Sequence, residues 1–232
     1  MISHRARLAL ALVALLAAAF LLVGCGAAPA TGWSSARVVD QTVYFGTESG
    51  KVFAVNATDG SVKWQFPTDR SLGALYATPA VADNVVYFGA YDKKFYAVDA
   101  ATGAQKWVFD ATEPVVSSPV VGNGIVYFGA NDKKIYALDA ITGAKKWEFP
   151  TGGEVWADLT LADGVLYAAS LDHKLYALDA ATGKTIWAPF DAHGMIAAKP
   201  AVANGVVYVA GLSKVYALDV ATGKETKWDK PF

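Results

Sequence analysis

The sequence from Trp33 onward repeats a unit of about 40 residues, and this repeat constrains the fold more than any other feature. The segment Val126-Tyr127-Phe128-Gly129 has five versions along the chain, spaced by 43, 40, 40 and 41 residues. Two further landmarks keep nearly the same spacing: a segment ending in Leu138-Asp139 in the third unit, and a glycine followed four or five residues later by tryptophan. Periods near 40 residues are typical of repeat arrays or propellers.

Within each unit the pattern is that of short strands, rich in β-branched and aromatic residues and separated by turn residues. In the third unit we predict strands over residues 117–121, 125–129, 135–138 and 145–149. Asn123-Gly124 between the first two favours a type I′ hairpin turn, in which both central residues have positive φ. Four strands per unit cannot bury both faces alone, so units must stack. The sequence therefore predicts an all-β protein, a β-propeller of five four-stranded antiparallel blades over residues 33–232.

The repeated tryptophan and aspartate residues are predicted to be structural. A large ring just after the last turn of a blade can fill the gap to the next blade. The tryptophans are Trp64, Trp107, Trp147, Trp187 and Trp228. An aspartate before a glycine turn can accept backbone N–H groups in an Asx-type turn. The aspartates are Asp99, Asp139, Asp179 and Asp219. Calcium binding by these carboxylates is disfavoured, because one per blade cannot converge on a single ion, so we predict no metal site.

Residues 136–147 have the pattern Y-A-L-D-A-x-T-G-x-x-x-W, and its versions recur between residues 33 and 228. This pattern resembles the tryptophan-docking repeat of the PQQ-like β-propeller family, which includes quinoprotein alcohol dehydrogenases and BamB-like outer-membrane assembly lipoproteins. The resemblance does not by itself imply the quinone. The enzymes of the family hold it beside two adjacent cysteines and near a calcium cluster, whereas this chain has a single Cys. We therefore expect no cofactor.

The number of units departs from the family as well. The enzymes and the BamB-like lipoproteins have eight blades, whereas five units are complete here. Three arrangements are compatible with five units: a closed five-bladed ring, an open arc completed by a second copy, or a partial propeller from a truncated gene model.

The N-terminus has the layout of a secretory signal. Arg5 and Arg7 precede an uncharged apolar run that ends at Gly24, and the one Cys of the chain, Cys25, follows. Residues 22–25 resemble a bacterial lipobox, so we predict a lipoprotein signal peptide over 1–24, lipidation of Cys25 and a tether over 25–32. An uncleaved anchor helix is the alternative. Either way the repeat domain is expected outside the cytoplasm, and Gly26 in place of Asp favours the outer membrane in a diderm organism.

The balance of charged residues limits which partners the chain can bind. The chain has 20 Lys and Arg against 21 Asp and Glu, so it lacks the basic excess that binding to phosphates needs. We predict no nucleic-acid partner. Membrane attachment would come from acyl chains on Cys25 rather than from a basic patch.

Candidate binding residues are those at which the repeats differ. Aligning the units on their first strands, which lie nearest the axis in this family, places Asp158 and Lys199 at one equivalent position. Trp33, Tyr76 and Trp156 share the position two residues earlier. These five residues could line a polar, aromatic pocket at the mouth of the channel. Alternatively, Asp158 and Lys199 form only a solvated ion pair, which contributes little.

The sequence contains no motif that assembles a reaction. We expect a non-catalytic binding or scaffold lipoprotein that holds a protein partner in the cell envelope, as the BamB-like resemblance suggests. Two alternatives remain, a quinone-dependent dehydrogenase and a sensor or sugar-binding propeller that uses Trp33, Tyr76 and Trp156.

Overall fold

A computed structural model of the chain describes residues 34–211 and 214–226. All 19 regular elements in these residues are β-strands, arranged in five sheets. The described residues include no helix able to span a membrane. The all-β class and the repeated sheet architecture are thus confirmed.

Each sheet is an antiparallel meander whose strands follow one another in chain order. Sheet 1 contains β1 (Arg37–Val39), β2 (Thr42–Gly46), β3 (Val52–Asn56) and β4 (Val62–Phe66). Sheet 2 contains β5 (Ala80–Ala82), β6 (Val85–Gly89), β7 (Lys94–Asp99) and β8 (Gln105–Asp110). Sheet 3 contains β9 (Val120–Gly122), β10 (Ile125–Ala130), β11 (Lys134–Asp139) and β12 (Lys145–Pro150). Sheet 4 contains β13 (Thr160–Ala162), β14 (Val165–Ala169), β15 (Lys174–Asp179) and β16 (Phe190–Asp191). Sheet 5 contains β17 (Ala201–Ala203), β18 (Val206–Ala210) and β19 (Val215–Asp219).

The hairpin between the first two strands of sheet 3 has the predicted turn. Asn123 and Gly124 have φ values of 52° and 72°, as a type I′ turn requires. The first strand, however, begins at Val120 rather than at residue 117. Pro119 has no N–H to donate to a ladder. The Ser117 hydroxyl instead accepts a hydrogen bond from the Gly129 N–H (2.8 Å) and donates one to the Gly129 carbonyl (2.9 Å).

The prediction of four strands in every blade needs correction for the described residues. Sheets 1 to 4 have four strands and sheet 5 has three. The fourth strand of sheet 4 is reduced to Phe190–Asp191, after an isolated bridge between Leu178 and Thr185. Pro189, which also lacks an N–H, precedes it. In sheet 5 an isolated bridge joins Leu218 to Glu225, and Trp228 lies outside the described residues.

The core lies between the sheets. Four clusters of buried apolar side chains each join two successive sheets, from sheets 1 and 2 to sheets 4 and 5. No cluster formed by the described residues joins sheet 5 to sheet 1. Closure of a five-bladed ring therefore stays a prediction.

The repeated tryptophans contact the next sheet across each of these interfaces, which we call the docking interfaces. A β-bulge after Ala137 aligns that residue with Trp147, and the same irregularity recurs in sheets 1 and 2. Each indole Nε1 donates a hydrogen bond of 2.9–3.1 Å to a carbonyl of the next sheet. The pairs are Trp64 with Ala100, Trp107 with Ala140, Trp147 with Ala180, and Trp187 with Val220. The predicted interblade position is thus observed for these four tryptophans.

The repeated aspartates form the predicted turns. Asp139 Oδ1 accepts hydrogen bonds from the Ile141 N–H (3.1 Å), the Thr142 N–H (3.0 Å) and the Thr142 hydroxyl (3.0 Å). The Thr142 N–H and the Lys146 ammonium hold the pKa of Asp139 at about 2. Asp99, Asp179 and Asp219 accept equivalent bonds from Thr102, Thr182 and Thr222. Gly143, at a φ of 72°, completes the turn.

Candidate functional site

One end of the sheet stack carries the loops at which the repeats differ. In a four-stranded meander, the loop between strands two and three lies at the same end as the connection into the next sheet. The connection that enters a sheet lies at this end too, and backbone hydrogen bonds of 2.9–3.0 Å join it to that sheet's own loop. The bonds run from the Asp92 N–H to the Leu72 carbonyl, from the Asn131 N–H to the Pro114 carbonyl and from the Leu171 N–H to the Glu154 carbonyl. We call this end the loop face.

The loop face contains a cavity of about 430 Å³, lined by Tyr76, Tyr91, Val116, Asn131 and Trp156. We call it the aromatic pocket. Tyr91 and Asn131 lie in the loops of sheets 2 and 3, and the other three residues lie in the connections that enter sheets 2, 3 and 4. Tyr76, Val116 and Trp156 occupy the same repeat position in three neighbouring units. The residue type at this position differs between units, and the pocket forms where these different side chains meet.

The three aromatic rings of the pocket are held in place yet remain partly open to solvent. Tyr76 and Tyr91 are 41% and 50% exposed, and their rings meet edge to face with centroids 5.8 Å apart. Trp156 is 49% exposed, and its indole N–H donates to Glu154 Oε2 at 2.6 Å. Aromatic side chains with two stiff torsions provide contact area at a low entropic cost when a partner binds.

Asn131 adds a polar group to this pocket. Its Oδ1 atom is buried and has no hydrogen-bond partner among the described residues. Buried acceptors are normally paired, and an unpaired one costs about 1–3 kcal/mol. The lining of the pocket is mostly aromatic, so it can hold an apolar or aromatic group.

Asp158, a predicted site residue, lies beside the pocket but is engaged in the fold. Its Oδ1 accepts a hydrogen bond from the Ser118 N–H of the preceding unit at 2.8 Å, and the Ser118 hydroxyl in turn accepts one from the Thr78 N–H at 2.9 Å. These bonds link equivalent positions of three successive units and confirm that the alignment of the first strands was correct. The carboxylate is half-buried and bridges two sheets.

The remaining predicted residues do not join the pocket. Lys199 is exposed, and the described residues show no ion pair between its ammonium and Asp158. The solvated ion pair is therefore not formed. Trp33 and Cys25 lie outside the described residues. The structure thus brings together Tyr76 and Trp156, leaves Lys199 apart, and shows Asp158 in an interblade hydrogen bond.

Tyr91 and Asn131 are the pocket residues that sequence reasoning missed. They occupy one repeat position, just after the second strand, where sheet 1 has Glu48 and sheet 4 has Leu171. Comparing the units at this loop, and not only at the first strand, would have found them. The topology explains why these residues meet Tyr76 and Trp156, because it places that loop at the same end as the connection into the first strand.

Stacked antiparallel sheets with docked tryptophans define a β-propeller built from PQQ-like repeats. A family model described as outer membrane protein assembly factor BamB matches residues 24–107, 68–157 and 96–231. The chain belongs to this family, and the resemblance identified from the repeat is confirmed.

Solved structures show the same fold. BamB from Moraxella catarrhalis is 24% identical, with a TM-score of 0.72, over 83% of this chain and 59% of that chain. The computationally designed Ika8 protein is 18% identical, with a TM-score of 0.75, over 84% of this chain and 60% of that one. Quinohemoprotein alcohol dehydrogenase from Comamonas testosteroni is 21% identical, with a TM-score of 0.73, over 83% and 42%. No protein with a curated description matches the chain.

The chain thus spans about three-fifths of the length of the first two of these structures. At these identities the likeness concerns the fold.

Proposed function

We propose that the protein is a non-catalytic binding or scaffold lipoprotein of the cell envelope, which holds a protein partner at the aromatic pocket. The observation that carries this proposal is the set of three partly exposed aromatic rings that line one cavity on the loop face. Tyrosine and tryptophan are enriched among the residues that dominate protein interfaces. Membership of a family described as an outer membrane protein assembly factor supports a role in envelope or outer-membrane protein assembly.

A protein segment suits this pocket better than a small molecule enclosed on all sides. Sites for small ligands bury about 70–90% of the ligand surface. Here Tyr76, Tyr91 and Trp156 form a rim, and each is close to half exposed. A rim of this kind can receive one anchoring side chain while the rest of the partner lies across the loop face.

The test is capture of partners from the native envelope by the full-length protein. Trp156→Ala and Tyr91→Ala should each weaken capture of a partner about tenfold or more, as loss of an aromatic anchor does. Ile141→Ala is the matched control, because Ile141 is 83% exposed and lies in a turn at the opposite end of the sheets. A partner retained equally by all three variants would show that the pocket is not its binding site.

Anchorage through Cys25 belongs to the same proposal. Cys25 follows the apolar run of the predicted signal peptide and is the one Cys of the chain. Labelled palmitate should enter the parent protein and not a Cys25→Ser variant, which should also be released from the membrane fraction. Equal labelling and retention of the two proteins would contradict lipid anchorage.

The dehydrogenase alternative is tested in parallel. The likeness to a quinohemoprotein alcohol dehydrogenase supports a shared fold at 21% identity. Titration of the full-length protein with pyrroloquinoline quinone should show no saturable binding, and dye-linked alcohol oxidation should stay at background. Tight quinone binding together with alcohol oxidation would overturn the non-catalytic assignment.

A further inference from the structure

Sheet 1 has an apolar face that no described sheet covers. We call the side of each sheet that faces the preceding sheet its reverse face, and the side that faces the following sheet its forward face. On the reverse face of sheet 1, the side chains of Val43, Phe45 and Val55 are half-buried. The equivalents of Val43 and Phe45 in sheets 2 to 5 are at most 1% exposed. They are Val86, Phe88, Val126, Phe128, Leu166, Ala168, Val207 and Val209.

The tryptophan-docking position of sheet 1 is open as well. In sheets 2 to 5 the turn glycine lies directly under the indole of the preceding sheet, and a Cβ on Gly143 would come within 2.7 Å of Trp107 Cδ2. Gly60 is the equivalent glycine of sheet 1, and a Cβ there would meet no described atom within 4 Å. Ala57, the equivalent of the carbonyl acceptor Ala140, is exposed. Sheet 1 therefore carries a complete acceptor site without a donor among the described residues.

The forward face of sheet 5 has an exposed apolar side chain that is buried in the other sheets. Val215 begins the third strand of this sheet and is 37% exposed. The residues at this position in sheets 1 to 4 are fully buried against the next sheet. They are Val52, Phe95, Ile135 and Leu175. The described residues thus leave unfilled the two halves of an interface that they form four times internally.

We propose that the forward face of sheet 5 in one copy of this chain docks on the reverse face of sheet 1 in a second copy. The two faces are complementary because each internal docking interface pairs the same two kinds of face. Among the described residues, the apolar clusters join successive sheets only, and none joins sheet 5 to sheet 1 of the same chain. Such an interface is heterologous, so it leaves one free face at each end of the assembly.

The test is sedimentation velocity of the full-length chain in detergent across a wide range of protein concentration. The parent should shift from the single-chain mass to the two-chain mass or higher as concentration rises. Ala57→Arg blocks the acceptor site at an exposed position, and Val215→Asp places a charge on the donor face. Each should weaken self-association about tenfold or more. Ile141→Asp, away from both faces, should associate like the parent.

Mixing the two variants distinguishes docking between copies from closure within one chain. The Ala57→Arg protein retains a good forward face and the Val215→Asp protein retains a good reverse face. An equal mixture should therefore form a two-chain species and nothing larger. This recovery also shows that both variants are folded. A parent that keeps the single-chain mass at every concentration, or a mixture that forms no two-chain species, would overturn the proposal.

Discussion

The docking interfaces and the loop face are made from the same repeat and differ in what the repeat keeps constant. At the docking interfaces, one indole, one carbonyl and one glycine meet in the same geometry four times. At the loop face, the equivalent positions hold Tyr76, Val116 and Trp156 in successive units. A contact repeated between all blades stabilises the stack but cannot distinguish one blade from another. Recognition must therefore use the positions at which the units differ.

The difference is also energetic. The side chains at the docking interfaces are almost fully buried, so changes there alter the free energy of unfolding. The rings of the aromatic pocket are about half exposed, so changes there should alter binding while the fold keeps most of its stability. Four sets of substitutions test this separation.

Trp107→Ala should have the largest effect. The indole is buried between sheets 2 and 3, and its Nε1 donates to the Ala140 carbonyl at 3.1 Å. Truncation of a buried tryptophan leaves a cavity and costs about 3–5 kcal/mol. Chemical denaturation should show this loss, whereas Trp156→Ala on the loop face should stay within about 1 kcal/mol of the parent. Equal losses for the two variants would remove the distinction between the regions.

Gly143→Ala isolates the contact between the glycine and the indole, and Gly60→Ala is its matched control. Both glycines have a φ of 72°, so an alanine at either position incurs about 1–2 kcal/mol of backbone strain. At Gly143 the new methyl group also meets the Trp107 ring, and overpacking adds about 1–3 kcal/mol. The difference in unfolding free energy between the two variants measures how tightly the Trp107 indole packs on Gly143. Identical values would show that the indole can move aside.

Tyr127→Phe tests the polar part of a docking interface. The buried Tyr127 hydroxyl donates to the Ala180 carbonyl at 3.0 Å, and removing one such bond costs about 1 kcal/mol.

The same variant has a pH signature. Burial, with a contribution from Asp179, raises the pKa of Tyr127 to about 12. The folded state prefers the neutral phenol, so its stabilisation is complete below the unfolded pKa of about 10 and is lost as pH rises toward 12. Denaturation at a series of pH values should show a shallower alkaline loss for Tyr127→Phe than for the parent. Parallel curves would contradict this coupling.

The repeat predicted the fold well because its turn and strand patterns depend on residues close together in the sequence and occur five times. The Asn123-Gly124 turn and the alternating apolar residues located the strands of sheet 3 to within a few residues. Two errors arose where proline interrupts hydrogen bonding, at Pro119 and Pro189. The lack of a fourth strand among the described residues of sheet 5 has no such cause. The pocket was predicted only in part. Tyr76 and Trp156 follow from aligning the first strands, but Tyr91 comes from another loop that only the folded topology brings near.

The last and smallest effect concerns Asp158, the residue at which the two regions meet. The sequence suggested an ion pair with Lys199, yet the carboxylate instead accepts the Ser118 N–H across two units. Asp158→Ala should therefore cost up to about 1 kcal/mol, because water can replace part of this bond at a half-buried position. Asp158→Asn keeps an acceptor oxygen and should recover most of that loss. Lys199→Ala should stay within about 0.5 kcal/mol of the parent in the same denaturation experiment. If Lys199→Ala and Asp158→Ala were equally destabilising and not additive in the double variant, an electrostatic coupling between the two side chains would have to replace the interblade hydrogen bond as the role of Asp158.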